Sequence, residues 1–362
     1  MQTKHIIHII TTIERGGAEN AVATLAISQV RAGHNVSVFP LKGRKELLDY
    51  LIENGVRVLL GGLNASPLRQ VLLLRKLYAE NVIFHAHLPR AELLTRIALG
   101  PGNYVITRHN AETFFPKAPL GFSRVISRWV TRRVTVIAIS NSVLQFLKVS
   151  KELSKFGRCF VIYYGYEPKL KTRVVSDKVR NPATNRFHIG TVSRLAKQKN
   201  LKLLIYLTRS LSDKGFKVQT SIVGEGPLEK ELRTLTQELK IDDRVHFLGK
   251  SNDVLAFLST LDLFLLTSNY EGFGLVLLEA MDANIPIVAS NVSAIPEVLG
   301  ENHPGLFECG SIENLEEKVI EFIKSYEARK RSLVYQETRL LQFSIDQYFT
   351  NHEDAYDSAL SS

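Results

Sequence analysis

Cysteine is almost absent from this chain: Cys159 and Cys309 are the only two in 362 residues. Two cysteines so far apart make neither a disulfide framework nor a CxxC metal site, and such sparse usage fits a reducing cytosol. Long apolar runs are missing as well. No stretch reaches the roughly 18 consecutive apolar residues that mark a membrane span. The apolar segment Ile6–Ile13 is short, is interrupted by His8, Thr11 and Thr12, and leads to no small-residue cleavage site, so it reads as a first strand rather than a signal peptide. No DxD pair of aspartates occurs, and neither does a recognisable nucleic-acid-binding motif, an internal repeat or a low-complexity segment. These gaps lead us to expect a cytoplasmic globular protein that binds no metal and no nucleic acid.

Charge is present and unevenly placed. The chain carries 46 Lys and Arg against 36 Asp and Glu, a net charge of +10. Residues 1–186 hold 28 of the basic residues and 11 of the acidic ones; the remainder holds 18 and 25. Only the first part therefore attracts anions, and the candidates are an anionic membrane surface, a nucleic acid or a phosphorylated substrate. The shift also marks a boundary near 180–186, and the length by itself predicts two domains.

Periodicity fits that division. Strand-like runs at His5–Thr12, Val36–Phe39, Val56–Leu60, Val82–His87, Tyr104–Thr107, Val134–Ile139 and Phe160–Tyr163 alternate with helical runs such as Ala18–Arg31 and Leu68–Tyr78. Residues 165–186 are polar, contain Pro168 and Pro182, and read as a linker. Strands then resume at Phe187–Val192, Val218–Val223, Val245–Phe247, Leu263–Thr267 and Ile287–Ala289. Alternation of this kind predicts α/β architecture with two doubly wound parallel sheets, over residues 1–180 and 187–344. The helical tail, from about 345 to 362, is expected to pack back on the first domain.

Several strand-to-helix junctions carry chemistry. Glu271-Gly272-Phe273-Gly274-Leu275 leads into an apolar run ending at Glu279. A glycine turn that opens a helix after a parallel strand offers bare N–H groups to a phosphate. Eight residues is slightly more than two helical turns, so both carboxylates are expected on one side. Arg194 and Lys199 follow the first strand of the second domain and suit phosphate oxygens; a solvated basic loop is the alternative. Gly16 and Gly17 follow the first strand of the chain and read either as a close approach to a phosphate or as a tight turn. Gly224-Glu-Gly-Pro227 reads as a platform for a nucleotide base or as a structural turn. His109 ends a strand, where it is a candidate for a hydroxyl contact or a proton transfer, or a core histidine. His85 and His87 share a face without a further ligand in the sequence nearby, which favours packing over a metal. Arg124–Arg133, with Trp129, reads as a helix that lies on an anionic bilayer or simply as a core-facing helix with a basic outer side.

Taken together these motifs resemble the GT-B glycosyltransferases of family 4, also called group 1 glycosyltransferases. The ordered set Arg194, Lys199, Gly224-Glu-Gly-Pro227, Phe247-Leu-Gly249, Glu271…Glu279, Ile285-Pro-Ile-Val-Ala-Ser290 and Ile295-Pro-Glu-Val298 carries the resemblance. It implies two Rossmann-like domains facing across a cleft. It also implies metal-free transfer of a sugar, with retention of configuration, from a nucleotide-sugar donor, UDP- or GDP-linked. Arg194 and Lys199 would hold the diphosphate, the Gly272–Leu275 backbone would contact phosphate and sugar, Glu279 the ribose and Glu271 the donor sugar, with Gly16 and Gly17 closing over the diphosphate. His109 falls where the family often has a histidine. The implied acceptor is a lipid-linked saccharide of bacterial surface polysaccharide synthesis, met by a protein peripheral on the inner membrane face. A soluble enzyme with a small acceptor and a non-catalytic nucleotide-sugar-binding protein are the alternatives. Asn284 stands where the family usually has glycine, and Asn tolerates the same left-handed backbone.

Overall fold

A computed structural model describes residues 3–79, 81–102, 104–169, 186–251 and 253–360. The chain divides into two compact units, Met1–Glu167 with Phe343–Ser362, and Pro168–Gln342. Of the segment read as a linker, only 165–169 and Arg186 fall within the described residues; Pro182 lies outside them.

The first unit is built on seven parallel strands: β1 (His5–Ile10), β2 (Asn35–Pro40), β3 (Arg57–Val58), β4 (Val82–His87), β5 (Tyr104–Arg108), β6 (Thr135–Ala138) and β7 (Arg158–Val161). Their order is β3-β2-β1-β4-β5-β6-β7, so the direction of travel reverses between β1 and β4. Ile6, Ile7, Ile9 and Ile10 are all buried because helices cover both faces of the sheet. The helix Ile345–Leu360 belongs to this unit and packs on the helix Gly17–Arg31 and on β5 and β6. Its Glu353 and Asp357 hold Lys4 Nζ at 2.7 and 2.6 Å.

The second unit has β8 (Phe187–Val192), β9 (Val218–Val223), β10 (Val245–Gly249), β11 (Leu263–Leu266), β12 (Ile287–Ser290) and β13 (Leu306–Phe307). They are parallel in the order β10-β9-β8-β11-β12-β13, with the reversal between β8 and β11. β13 escaped the sequence reading because two residues show no periodicity. No helix among the described residues is long and apolar enough to cross a membrane.

One buried ion cluster braces the first unit. Arg108, at the end of β5, has its Nε 2.8 Å from Glu92 and its Nη1 3.4 Å from Glu152. Glu152 Oε1 also accepts from the Phe114 backbone N–H at 3.0 Å and from Ser123 Oγ at 3.1 Å, while Arg108 Nη2 donates to Ser127 Oγ. Two carboxylates share one guanidinium, and burial pushes Glu92 up to about 7 against the pull of Arg108. The helix Leu120–Val130 is thus fastened through Ser123 and Ser127 on its inner side. Glu152→Ala takes one of its two carboxylates from Arg108 and strands two further donors in the core, the Phe114 N–H and the Ser123 hydroxyl. We expect it to lower stability by about 3 kcal/mol or more, read as the urea midpoint of the first unit; an unchanged midpoint would refute the bracing role.

Candidate functional site

The sheet of the second unit reverses between β8 and β11, and in open α/β sheets such a switch point is where ligands bind. The loops leaving these two strands are sewn together. Thr267 Oγ1 donates to the Lys199 carbonyl at 2.9 Å, the Asn269 N–H to the Gln198 carbonyl at 2.8 Å, and Gln198 Nε2 to the Tyr270 carbonyl at 2.9 Å. Asn200 turns the first loop through a left-handed backbone, φ 46°, into the helix Leu201–Asp213. These bonds bring Lys199 Nζ to 2.5 Å from Glu271 Oε1, and Ser268 Oγ donates to the same oxygen at 2.6 Å. Both bonds fall on Oε1, so Oε2 of this buried carboxylate takes neither. Sequence reasoning selected Lys199 and Glu271 separately. Ser268, three residues before Glu271, carried no signal of its own.

The structure corrects one expectation about this segment. Glu271 and Glu279 are not two turns apart on one helix. Gly274 adopts φ 94° and ψ 57° and caps a helix that covers only Leu275–Asp282. Glu271 is placed by the turn before it, where Phe273 is buried and anchors the loop. Glu279 lies on the helix and is half-buried. Burial pushes its carboxyl up to about 7, with the Lys169 ammonium pulling the other way.

Arg194 is exposed, and no carboxylate pairs with it among the described residues. Its loop is buttressed by the Gly224-Glu-Gly-Pro227 turn: the Leu195 N–H donates to the Glu225 carbonyl at 3.0 Å and the Leu228 N–H to the Leu195 carbonyl at 3.1 Å. A Cβ at Gly224 would stand 2.0 Å from the Ser193 oxygen, and one at Gly226 2.4 Å from the Leu195 oxygen. Close backbone approach accounts for both glycines, so this turn supports the Arg194 loop. Asn284 has φ 54°, the left-handed backbone anticipated for it.

In the first unit, Gly16 and Gly17 open the helix Gly17–Arg31 after β1. The chain's own Glu19 carboxylate lies beside this turn. Glu19 Oε2 lies 2.5 Å from where a Gly16 Cβ would stand, and its Oε1 accepts from Thr12 Oγ1 at 2.7 Å. A Cβ at Gly17 would meet nothing within 4 Å. His109 is buried with both ring nitrogens engaged, Nδ1 by the Tyr164 hydroxyl at 2.5 Å and Nε2 by His87 Nδ1 at 3.1 Å. Both nitrogens are thus used within the unit, and a contact with a substrate hydroxyl would replace one of these bonds. His87 continues to His8 at 2.9 Å, and His8 to Gln29 at 2.7 Å. His8, His85 and His87 have ligand atoms within 4.8 Å of one another, the spacing of a metal site, yet all six nitrogens already have hydrogen-bond partners. Burial lowers His8 to about 4, and His109 and His352 to about 3, so the cluster is neutral at pH 7. The sequence signal for this network was the interruption of an apolar strand by His8; Gln29, Tyr164 and Tyr356 gave none.

With this geometry in hand, the chain can be compared with known proteins. Residues 15–170 match the family described as Glycosyltransferase Family 4, and residues 175–337 match Glycosyl transferases group 1. The N-acetyl-alpha-D-glucosaminyl L-malate synthase of Bacillus anthracis is 38% identical over 140 residues, covering 37% of this chain and 36% of that protein. The putative colanic acid biosynthesis glycosyltransferase WcaL of Escherichia coli K12 is 36% identical over 142 residues, covering 37% and 35%. The matched stretch thus spans little more than a third of these curated relatives. Among solved structures, Anabaena Alr3699/HepE in complex with UDP and glucose superposes with a TM-score of 0.81 at 21% identity, covering 98% of this chain and all of that one. Sucrose-phosphate synthase from Thermosynechococcus elongatus gives 0.81 at 17%, covering 99% and 100%. These likenesses establish the fold as two Rossmann-like domains.

The neutral histidines set the acid response of the first unit. His8, His109 and His352 have folded pKa values below the 6.5 of an exposed histidine, so the unfolded chain binds more protons than the folded one. Their stabilisation is complete above about pH 6.5 and is lost as the pH falls toward 4. Glu92, raised to about 7, acts in the opposite sense between pH 4.5 and 7. Burial lowers His85 and His87 in the same direction, so the histidines outnumber the one carboxyl and stability falls as the pH drops below about 6. Urea midpoints from pH 8 to 4.5 measure this; a flat profile contradicts the neutral cluster.

Proposed function

Since the chain belongs to glycosyltransferase family 4 in both of its halves, we propose that it moves a sugar from a nucleotide-sugar donor to an acceptor hydroxyl. The observation that carries this reading is the Lys199–Glu271–Ser268 constellation at the β8/β11 switch point. A departing nucleoside diphosphate needs positive charge and N–H donors. Arg194 and Lys199 supply the charge, and the backbone of Gly272, Phe273, Gly274 and Leu275 supplies donors at the start of a helix. Glu271, with Oε1 held by Lys199 and Ser268, turns Oε2 to a hydroxyl of the donor sugar. Glu279 accepts from the ribose hydroxyls, which requires its ionised form.

Transfer proceeds with retention and without a metal ion. The anomeric carbon–oxygen bond to the diphosphate breaks, a bond to the acceptor oxygen forms on the same face, and the acceptor proton leaves on the released phosphate. UDP and GDP are the favoured carriers, and the UDP complex of the structurally similar Anabaena protein supports testing UDP first. The colanic acid protein supports a saccharide acceptor in bacterial surface polysaccharide synthesis. A lipid-linked acceptor also fits the outer side of the helix Leu120–Val130. Phe122, Val125 and Trp129 are exposed there, beside exposed Arg128, Arg132 and Arg133. Apolar rings ringed by arginines suit the headgroup region of an anionic bilayer on the cytoplasmic side. The similarity to an L-malate synthase favours the second reading, a soluble enzyme with a small acceptor.

Donor binding is checked by thermal shift against UDP-, GDP- and ADP-sugars, since a ligand of the folded state raises the midpoint. One nucleotide class should stabilise the chain, and Lys199→Met or Glu271→Gln should weaken it by about 2 kcal/mol, roughly thirtyfold in affinity. No shift with any nucleotide sugar would sink the donor reading. Affinity should also fall as pH drops from 8 to 6, because Glu279 takes up a proton near 7, and Glu279→Gln should remove that dependence. For the membrane, co-sedimentation with anionic vesicles at low salt should be strong and should disappear when Phe122→Asp and Trp129→Asp are combined. Absence of binding by the unsubstituted chain selects the soluble reading.

A further inference from the structure

The second unit carries a pocket that takes no part in the donor reading. It has a volume of about 760 Å³ and lies between the helix Tyr326–Leu340 and the loop from Gly300 to Gly305. That loop leads into β13, so the pocket sits at the edge of the sheet where the parallel strands begin. Lys199 and Glu271 sit at the opposite edge, where β8 and β11 have ended. Every residue that lines the pocket belongs to the second unit.

Both walls are fixed from behind. On the inner side of the helix, buried Ser332 and Gln336 close on His303, whose Nε2 lies 3.3 Å from Ser332 Oγ and 3.4 Å from Gln336 Oε1. Gln336 Nε2 donates to the Ile285 carbonyl at 2.8 Å, and His303 Nδ1 accepts from the Gly305 N–H at 3.1 Å. Gly300 turns the loop with φ 92°, and the Tyr335 hydroxyl lies 2.5 Å from where its Cβ would stand. Asn302 and Pro304, on either side of the clasped His303, form one wall. The helix forms the other, and Arg339 fastens it to the Glu297 and Val298 carbonyls. Buried hydrogen bonds therefore set the shape of this pocket.

Its lining combines two chemistries. Val334, Tyr335 and Thr338 present apolar surface on successive turns of the helix, across from Pro304. Val334 is 57% exposed, an apolar side chain left open in a concave setting. One turn before it stand Lys330 and Arg331. No carboxylate pairs with Lys330 among the described residues. Arg331 meets Glu321 at 3.3 Å, but the two side chains are 65% and 40% exposed, so the pair is weak and can yield to a ligand. Glu327 is the single acidic residue of the lining, against Lys330, Arg331 and Arg339. This basic cluster stands in a half of the chain that carries 18 Lys and Arg against 25 Asp and Glu.

Size, lining and charge together define a ligand. Small-molecule sites run from roughly 300 to 1,000 Å³, with apolar walls and a few placed polar groups. Two adjacent cations balance a phosphate monoester, which carries about −1.5 to −2 at neutral pH. The Tyr335 ring and the flat guanidinium of Arg331 suit a planar ring. We propose that this pocket is a second ligand site that takes a soluble aromatic phosphate, with the phosphate on Lys330 and Arg331 and the ring on Val334 and Tyr335. The inference does not depend on the transferase reading, because the pocket shares no residue with the donor site.

The test is isothermal titration calorimetry of the full chain with 1-naphthyl phosphate and, separately, with 1-naphthol and inorganic phosphate. The naphthyl phosphate should bind saturably with a Kd of about 1 mM or below. Each of the other two lacks half of the recognition and should bind about tenfold or more weakly. No binding of the naphthyl phosphate, or equally tight binding of either fragment, overturns the proposal. Lys330→Ala combined with Arg331→Ala should weaken binding about tenfold or more. Val334→Asp, which sets a carboxylate against the ligand, should weaken it as much. All three side chains are exposed, so the fold survives both variants. Unchanged affinity in either variant refutes the assignment. Lys199→Met should leave the affinity unchanged; a loss there places the phosphate in the donor site and overturns the second site. Binding should persist even if no nucleotide sugar shifts the melting midpoint, so this proposal and the donor reading fail separately.

Discussion

A parallel strand has no face to give to water. Crossover helices cover both sides of the sheet, so anything carried at mid-strand is buried and must be apolar or fully hydrogen-bonded. Both units consist wholly of such strands. Charge and solvent meet the backbone only where the strands run out, and there the chemistry gathers: Glu19 after β1, Lys199 after β8, Glu271 after β11. The position of the candidate site is therefore a consequence of strand direction before it is a matter of particular residues.

The two units handle polar groups at these reversals by different means. In the second, opposite charges face each other with partial access to solvent, Lys199 with its side chain 18% exposed against Glu271 at 6%. Such a pair can exchange one partner for a ligand of matching sign. In the first, the side chains between β1, β4 and β5 are fully enclosed, and a lone charge there would be prohibitive. The histidines stay neutral and satisfy one another in series.

Much of this was legible in the sequence. Strand alternation, the charge step near 180–186 and the glycine turns are local or additive signals, and residues 187–299 carried enough ordered motifs to name the family. The Lys199–Glu271 contact was not legible, because it depends on which loops are sewn side by side, and that is decided by Thr267, Gln198 and Asn269 across the sheet. Helical arithmetic between Glu271 and Glu279 failed because Gly274 resets the backbone between them. The partners of His109 were not legible either, since Tyr164 and His87 reach it from distant parts of the chain. Glycines at 224 and 226 left two readings open until the Ser193–Leu195 backbone was seen against them.

The helix Leu120–Val130 has its inner and outer sides under separate control. Ser123 and Ser127 answer to Glu152 and Arg108 in the core, whereas Phe122, Val125 and Trp129 are exposed on the other side. Ring contacts of Trp129 with Arg96 and of Phe122 with Phe115 tie the outer side to the unit more loosely than the buried serines do, so it is the freer side to change. A lineage could retune what this face adheres to, from lipid to protein to open water, while the core behind it stays the same.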